Sequence, residues 1–409
     1  MNITDRQQEM RIPPILRQAF RPFFLMAGIF GVLAIALWAL ILSGHLSLSV
    51  YGNVLFWHSH EMIYGFVVAV VLGFLLTAVQ NWTRQRATHG NSLLILALLW
   101  GAARVAMLIG GSWPDWLVVG LDLALLPTAA ALFARLVIKA DQVRQLFFIP
   151  LLLLLAVSNA LMHAGLLSGY YQWQTLGAYN AVLLITLLMT IIAGRVMPMF
   201  TANGTGTKRV PNKVWLDRSA LGLLWLIFII YFFNLVPSLD HRILAALFFA
   251  AAALHAVRAI RWKIWITWRV PLLWSLHLSY WFIPLGCALL GCHYLGMHSE
   301  FTPISLNVSQ STAMHALTAG AMGNMILAMM ARVSLGHSGR PIHPHPLMSL
   351  AFLLLIVAGL VRSLGVALLP QATLNGLMLA SICWIVGYGI FVVLYSKILL
   401  TARADGNPG

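Results

Sequence analysis

Of 409 residues, 61% are hydrophobic and only 9% charged, against the roughly 25% of an ordinary soluble domain, so the composition excludes a water-soluble globular enzyme. The mean hydropathy of +0.88 and the net charge of +15 describe a polytopic membrane protein whose cations lie in its loops. No basic stripe sits on a soluble domain, so nucleic acid is discounted as a partner, and the positive charge is assigned to orientation and to anionic membrane lipid.

The chain opens on a polar segment, residues 1–21, that runs into a full-length apolar stretch without a small-residue cleavage site, so an anchor is expected rather than a removed signal. Apolar runs long enough for a hydrocarbon core, about 20 helical residues, then fall near 22–44, 55–79, 92–110, 115–138, 146–167, 173–199, 216–236, 242–262, 271–295, 310–333, 347–369 and 373–400. The fold class predicted is all-α with twelve transmembrane helices in a single integral membrane domain, helices between 22 and 400 and a tail at 401–409.

An even number of spans puts both termini on one side, and the basic residues choose that side. All but Arg104, Arg242 and Arg362 lie on the terminal side, in the terminal segments, the loops there or the helix ends that meet them. Both termini are therefore expected to be cytoplasmic. Cys287, Cys292 and Cys383 all lie within apolar spans with no CxxC spacing, which indicates packing residues and no iron–sulfur cluster. Asn203-Gly204-Thr205-Gly206-Thr207 reads as a flexible turn because no strand–helix unit surrounds its GxG. Thr77-Ala78-Val79, Gly194-Arg195-Val196 and Ala331-Arg332-Val333 end the second, sixth and tenth spans, an echo that suggests three four-helix units about a pseudo-threefold axis.

Ionisable groups inside a membrane are rare and are functional candidates by default. His58, His60 and Glu61 stand at the start of the second span, and His315 lies a few residues into the tenth, which enters from the same face, roughly 5–10 Å below it at 1.5 Å per residue. His163 and His293 share that tier. A bis-histidine haem needs one imidazole from each of two helices at matched depth, which His60 and His315 supply. His58 and His60 are two apart, roughly 200° around a helix, so they face different ways unless the helix unwinds. His58 is then a candidate copper ligand, or either histidine is an interfacial residue bonded to a backbone carbonyl.

Glu61, Arg104, Asp122 and Arg362 are the other charges of the outer half. Arg104 and Arg362 suit haem propionates, because guanidinium groups bind carboxylates bidentately; for Arg104 an ion pair with Asp122 is the alternative. An inner tier holds His255 with Arg258, and His277 with Tyr280 and Trp281, so His255 and His277 either share a metal or bond to neighbouring helices. Met322, Met325 and Met329 form a stripe read as packing, beside the small residues Ala316, Ala319, Gly320 and Gly323.

Arg21-Pro22-Phe23-Phe24, Trp57-His58-Ser59-His60-Glu61-Met62-x-x-Gly65-Phe66, Gly194-Arg195-Val196-x-Pro198-x-Phe200-Thr201, Pro271-Leu272-Leu273-Trp274-x-x-His277, His315-Ala316-Leu317-Thr318-x-Gly320-Ala321-Met322-Gly323 and Leu335-Gly336-His337-Ser338-Gly339-Arg340 together closely resemble the NnrS family over nearly the whole chain. The resemblance implies a bacterial inner-membrane protein carrying haem, b-type, and copper, associated with nitric oxide metabolism and nitrosative stress resistance, with denitrification as its setting. It also implies His58, His60, His277 and His315 as metal ligands, with His337 and Arg340 as supports. A fainter similarity is to the haem–copper oxidases, with twelve spans in threefold arrangement and haem between the second and tenth; the sixth and seventh spans here have no histidine, so an oxidase copper site is not reproduced.

Two function classes follow. The first is a redox or ligand-handling protein in which nitric oxide or a related small molecule meets an intramembrane haem or copper, with electrons from quinol or a periplasmic donor; whether it is an enzyme is left open. The second is a proton-coupled secondary transporter relaying protons through Glu61, Asp122 and the histidines, although no Gly/Pro-broken pair of midplane helices marks it.

Overall fold

The computed structural model describes residues 6–296 and 308–407; the first five residues of the N-terminal segment and the last two of the tail lie outside them. Among the described residues there is no strand, and twelve helices are long and apolar enough to cross a membrane. They are α1 (Phe20–Leu42), α2 (Val54–Thr83), α3 (Gly90–Ser112), α4 (Asp115–Lys139), α5 (Val143–Ser168), α6 (Tyr171–Thr205), α7 (Val214–Phe232), α8 (His241–Ile266), α9 (Pro271–Tyr294), α10 (Gln310–His337), α11 (Leu347–Leu368) and α12 (Pro370–Leu400). Each coincides with one apolar run of the sequence, so the protein is an all-α, multi-pass membrane protein.

The chain divides into two compact units. The first comprises residues up to Ala181 with Met330–His343 and Tyr388–Gly409, that is α1 to α5, the start of α6 and the ends of α10 and α12. Its most enclosed helix is α2, with 78% of its apolar window buried against 28–44% for α1, α3, α4 and α5. Small residues let the helices close on it. Gly73 of α2 receives the rings of Phe23 and Phe24, and the Phe20 backbone N–H donates to Thr77 Oγ1 at 2.9 Å. On the opposite flank Trp82 stacks on Phe148 of α5, ring centroids 5.2 Å apart.

The second unit comprises Val182–Met329 and Pro344–Gly387. Its enclosed helices are the body of α6, α9 and α10, each also 78% buried over the apolar window. A short 3-10 turn, Ile264–Ile266, returns α8 to α9, and the two helices pack along their length. Gly286 of α9 meets Leu317, Gly320 of α10 meets Phe282, and Gly359 of α11 approaches the Gly320 backbone. Asn324 ties α10 to α11 by donating to the carbonyls of Gly320 and Leu355, at 2.8 and 3.0 Å. With no hydrophobic drive between helices in lipid, this close small-residue contact and these hydrogen bonds supply the association.

Among the described residues, three helices contain a π-helical stretch. α2 is α-helical over Val54–His60 and then winds as a π-helix over Glu61–Val67; α10 does the same over Gln310–His315 and Ala316–Met322. In both, the wider turn begins one residue after a histidine and runs for seven residues. A third π segment, Val361–Gly365, carries Arg362. Such segments occur often at functional sites, because they release carbonyls from the helical ladder and re-aim side chains.

Candidate metal centre

The α2 start is fixed by Asn53, whose side chain accepts from the Phe56 backbone N–H at 2.9 Å. One and a half turns later His60 points inward and is wholly buried, while His58 points elsewhere and stacks on Trp38 with ring centroids 4.2 Å apart. The two histidines therefore diverge, as their spacing on a helix requires.

His60 is held on every side. Phe56 stacks on its ring at 5.4 Å and Tyr64 lies against it at 4.9 Å. Its Nδ1 is 3.0 Å from Glu61 Oε1; its Nε2 is 3.0 Å from Asp122 Oδ2 and 2.8 Å from Asn159 Oδ1. Asp122 comes from α4, and its Oδ2 also accepts from Asn159 Nδ2 at 2.6 Å and lies 3.2 Å from His163 Nε2. Asn159 and His163 are four apart in α5, so one face of that helix delivers both.

Arg104 of α3 closes the network. Its Nη1 donates to Glu61 Oε1 at 2.5 Å and its Nη2 to Asp122 Oδ1. The guanidinium can reach because Gly65 presents no side chain, and the same π turn frees the Gly65 carbonyl to accept from Trp100 Nε1 at 2.9 Å. Two carboxylates against one guanidinium leave one negative charge. Carboxylate oxygens face both nitrogens of His60, and an imidazolium there restores balance; a bound cation between the histidines does the same.

His60, Asp122 and His163 offer ligand atoms that all lie within 4.8 Å of one another, and they form the group of this kind among the described residues. Two imidazoles and a carboxylate suit a first-row transition metal such as copper or zinc. His163 Nδ1 and the Tyr51 hydroxyl, whose rings lie 5.8 Å apart, are buried and have no hydrogen-bond partner. Glu61, at Nδ1, would orient His60 through the nitrogen that faces away from Asp122 and His163, the part that an acceptor beside a metal-bound imidazole usually plays.

The fit for haem at His60 is poor. An axial ligand must offer one nitrogen to iron with a flat porphyrin beside it, and here Asp122, Asn159 and His163 crowd the Nε2 edge. His60 lies in the first unit and His315 in the second. His315 Nδ1 lies 2.7 Å from the Ser311 carbonyl. That bond to a carbonyl puts the ring proton on Nδ1, the arrangement common in haem-bound and metal-bound histidines.

The remaining sequence candidates are placed as follows. Arg362, half-buried, has no carboxylate in ion-pairing range among the described residues. His277 Nε2 is 2.9 Å from Thr201 Oγ1, whereas His255 Nδ1 is 2.7 Å from the Tyr280 hydroxyl, so the hydrogen bonds of the two go to different partners. Tyr280 in turn accepts from Arg258 Nη1 at 3.0 Å, which makes its own proton the one given to His255. Arg258 completes a buried knot with Asp217 at 2.7 Å and the Thr190 carbonyl at 3.0 Å. Met322 and Met325 are buried in the packing of α10.

The sequence offers Asp122 as an ion-pair partner of Arg104 or a proton-relay acid, and His163 only as a member of a depth tier. The signal for their joint role is the Asn159-x-x-x-His163 spacing on an otherwise apolar span. What no spacing gives is that α4 and α5 turn these faces to the same point on α2.

Fold and site together define a multi-pass helical membrane protein with a buried histidine–carboxylate donor set, a candidate intramembrane metal protein. The chain belongs to the NnrS family, whose model, described as NnrS protein, matches residues 14–403, nearly its whole length. At family level this makes it a membrane protein related to nitric oxide. No curated protein matches it.

Proposed function

We propose that this protein binds a copper ion at His60, Asp122 and His163 and handles nitric oxide there, as a redox or ligand-binding protein of the bacterial inner membrane with both termini cytoplasmic. The observation that carries the proposal is the convergence of three ligand atoms within 4.8 Å in a wholly buried site. Copper held by these residues would supply one-electron chemistry and affinity for a small diatomic molecule.

The chain's own residues have separable parts. His60, Asp122 and His163 hold the ion. Glu61 keeps His60 in orientation, Arg104 holds both carboxylates in place, and Phe56 and Tyr64 exclude water from the His60 ring. Neutral nitric oxide, unlike an ion, crosses the surrounding apolar helices without an aqueous path. An electron supplied by quinol or a periplasmic donor is the further requirement of a redox cycle. A haem, which the family resemblance implies, would fit better at His315 than at His60, and Arg362, with no carboxylate paired to it among the described residues, suits a propionate.

The test is metal analysis of protein purified from membranes. Wild type is expected to retain about one copper per chain and to change its electron paramagnetic resonance spectrum with nitric oxide, with both lost in His163→Ala and Asp122→Asn. Full copper and an unchanged nitric oxide response in both variants would refute the reading.

The buried acid–histidine network also favours a second reading, proton-coupled transport. Arg104 argues against it, since its guanidinium donates to both Glu61 and Asp122 and holds them in place, whereas a relay needs an acid that can leave its partner. Proton uptake by proteoliposomes, lost in Glu61→Gln, would favour the transporter instead.

A further inference from the structure

Two motifs that the metal centre does not use meet in the first unit. Arg21-Pro22-Phe23-Phe24 begins α1, and Leu335-Gly336-His337-Ser338-Gly339-Arg340 ends α10; both reach the end of α12. Arg21 is fully buried, and its Nη1 donates to the carbonyls of Leu399 at 3.0 Å and Thr401 at 2.6 Å, with Ile398 O at 3.4 Å. That caps the α12 C-terminus, where the helix dipole offers only about half a negative charge. The guanidinium lies over the Phe20 ring, 5.5 Å from its centroid, and its other two nitrogens, Nε and Nη2, are buried without a hydrogen-bond partner among the described residues.

Further guanidinium groups crowd the same place. Arg340 Nη2 lies 3.5 Å from Thr401 Oγ1 and Arg340 Nη1 3.4 Å from the Ser338 carbonyl, both long contacts that leave its donors weakly used. Arg403 Nη1 donates to the His337 carbonyl at 2.8 Å. Arg17, 6% exposed, donates through Nε and Nη2 to Ile12 and Met10 but leaves Nη1 buried and unpartnered. Arg17, Arg340 and Arg403 all lie close enough for their charges to act on Arg21.

Carboxylates do not balance this set. Asp405 pairs with Arg403, at 2.6 and 3.0 Å, and among the described residues no acid pairs with Arg17, Arg21 or Arg340. Four guanidiniums held together with one exposed acid, and with three buried N–H-bearing nitrogens unused, lack an anion. Burying such donors unsatisfied is unfavourable, most of all for charged groups.

We propose that Arg21, with Arg17, Arg340 and Arg403 around it, binds one oxyanion, a phosphate group or an equivalent small anion. The guanidinium fork matches a phosphate oxygen pair bidentately, which a halide cannot use. Two sources carry that chemistry, an anionic phospholipid headgroup and a free inorganic oxyanion. In either case the anion fastens the α1 start and the α10 end to the α12 terminus, a region separate from the metal centre.

The test uses the full-length protein and reads its melting midpoint. In detergent, inorganic phosphate is titrated against chloride at equal ionic strength; in bilayer discs, phosphatidylglycerol is compared with phosphatidylcholine. Arg340→Gln and Arg403→Gln are the variants, because neither removes the guanidinium that caps α12, and Arg135→Gln is the control outside the cluster. A saturable upward shift in phosphate over chloride identifies a free oxyanion. A shift confined to phosphatidylglycerol identifies the lipid headgroup. Either is expected to need roughly tenfold more ligand in Arg340→Gln, the loss of about one charge-assisted hydrogen bond, while Arg135→Gln behaves as wild type. Equal midpoints in all anions and lipids, or a shift that all three variants share with wild type, overturns the proposal.

Discussion

Arg104 Nη1 lies 3.0 Å from the point where a Cβ on Gly65 would stand, so the guanidinium that holds Glu61 and Asp122 passes directly over a residue with no side chain. Phe30 presses on the same point. Gly65→Ala must therefore push either the ring or the guanidinium aside. A loss of about 1–3 kcal/mol is expected, the usual range for overpacking, read as a lower melting midpoint with a smaller metal content. Wild-type values of both would show that α2 relaxes freely here.

Arg104 and Glu61 are also a test of the buried network. Arg104→Gln leaves two carboxylates in a dry site with no cation and is expected to cost about 3–5 kcal/mol, seen as poor accumulation in the membrane. Glu61→Gln added to it restores part of the loss, because one unpaired charge goes with it. Simple additivity of the two changes would mean that the side chains do not act on each other.

Metal loading should separate the histidines. Added Cu(I) is expected to raise the melting midpoint of wild type and of His58→Ala, whose ring stacks on Trp38, but not that of Asp122→Asn or His163→Ala; a chelator reverses the gain. A thousandfold excess over the dissociation constant is worth about 4 kcal/mol of stability, so the shift is easily measured. Loss of the effect in His58→Ala would move the copper site to the other face of α2.

In the second unit, a Cβ on Gly194 would collide with the Arg258 guanidinium. Gly194→Ala is expected to dislodge Arg258 from Thr190 and Tyr280 and so destabilise the protein by about 1–3 kcal/mol, with no change in metal content of the folded fraction. Metal loss in that fraction would instead tie this knot to the centre in the first unit.

Topology has its own check. A reporter fused after Gly409 or within 201–213 should read cytoplasmic and one within 168–171 periplasmic, as the basic loops require. A periplasmic C-terminus would invert the depth assigned to every histidine.

The helices were legible because an apolar run in lipid has no alternative to a helix. The run at 242–262 became His241–Ile266 and that at 55–79 became Val54–Thr83. The divergence of His58 and His60 followed from helical geometry, and the Arg104–Asp122 pair was one of two readings of those charges. Two things were not legible. The π turns after His60 and His315 carry no local breaker, since Glu61–Val67 has a single Gly and no Pro. The donor set needed α2, α4 and α5 to be neighbours in space, which their order in the chain allows but does not compel; the matched depths of His60 and His315 drew attention to a different pair.

The donors of the centre all come from the first 163 residues of the chain. A ribosome has therefore delivered the whole set while most of the second unit is still unmade, and a site that ends up with ligands 0–4% exposed has its widest opening during that interval. Copper present at the moment of membrane insertion then meets a shorter path to the donors than copper offered to the finished protein. Cells shifted to copper after synthesis has stopped would fill the site more slowly than cells given copper throughout.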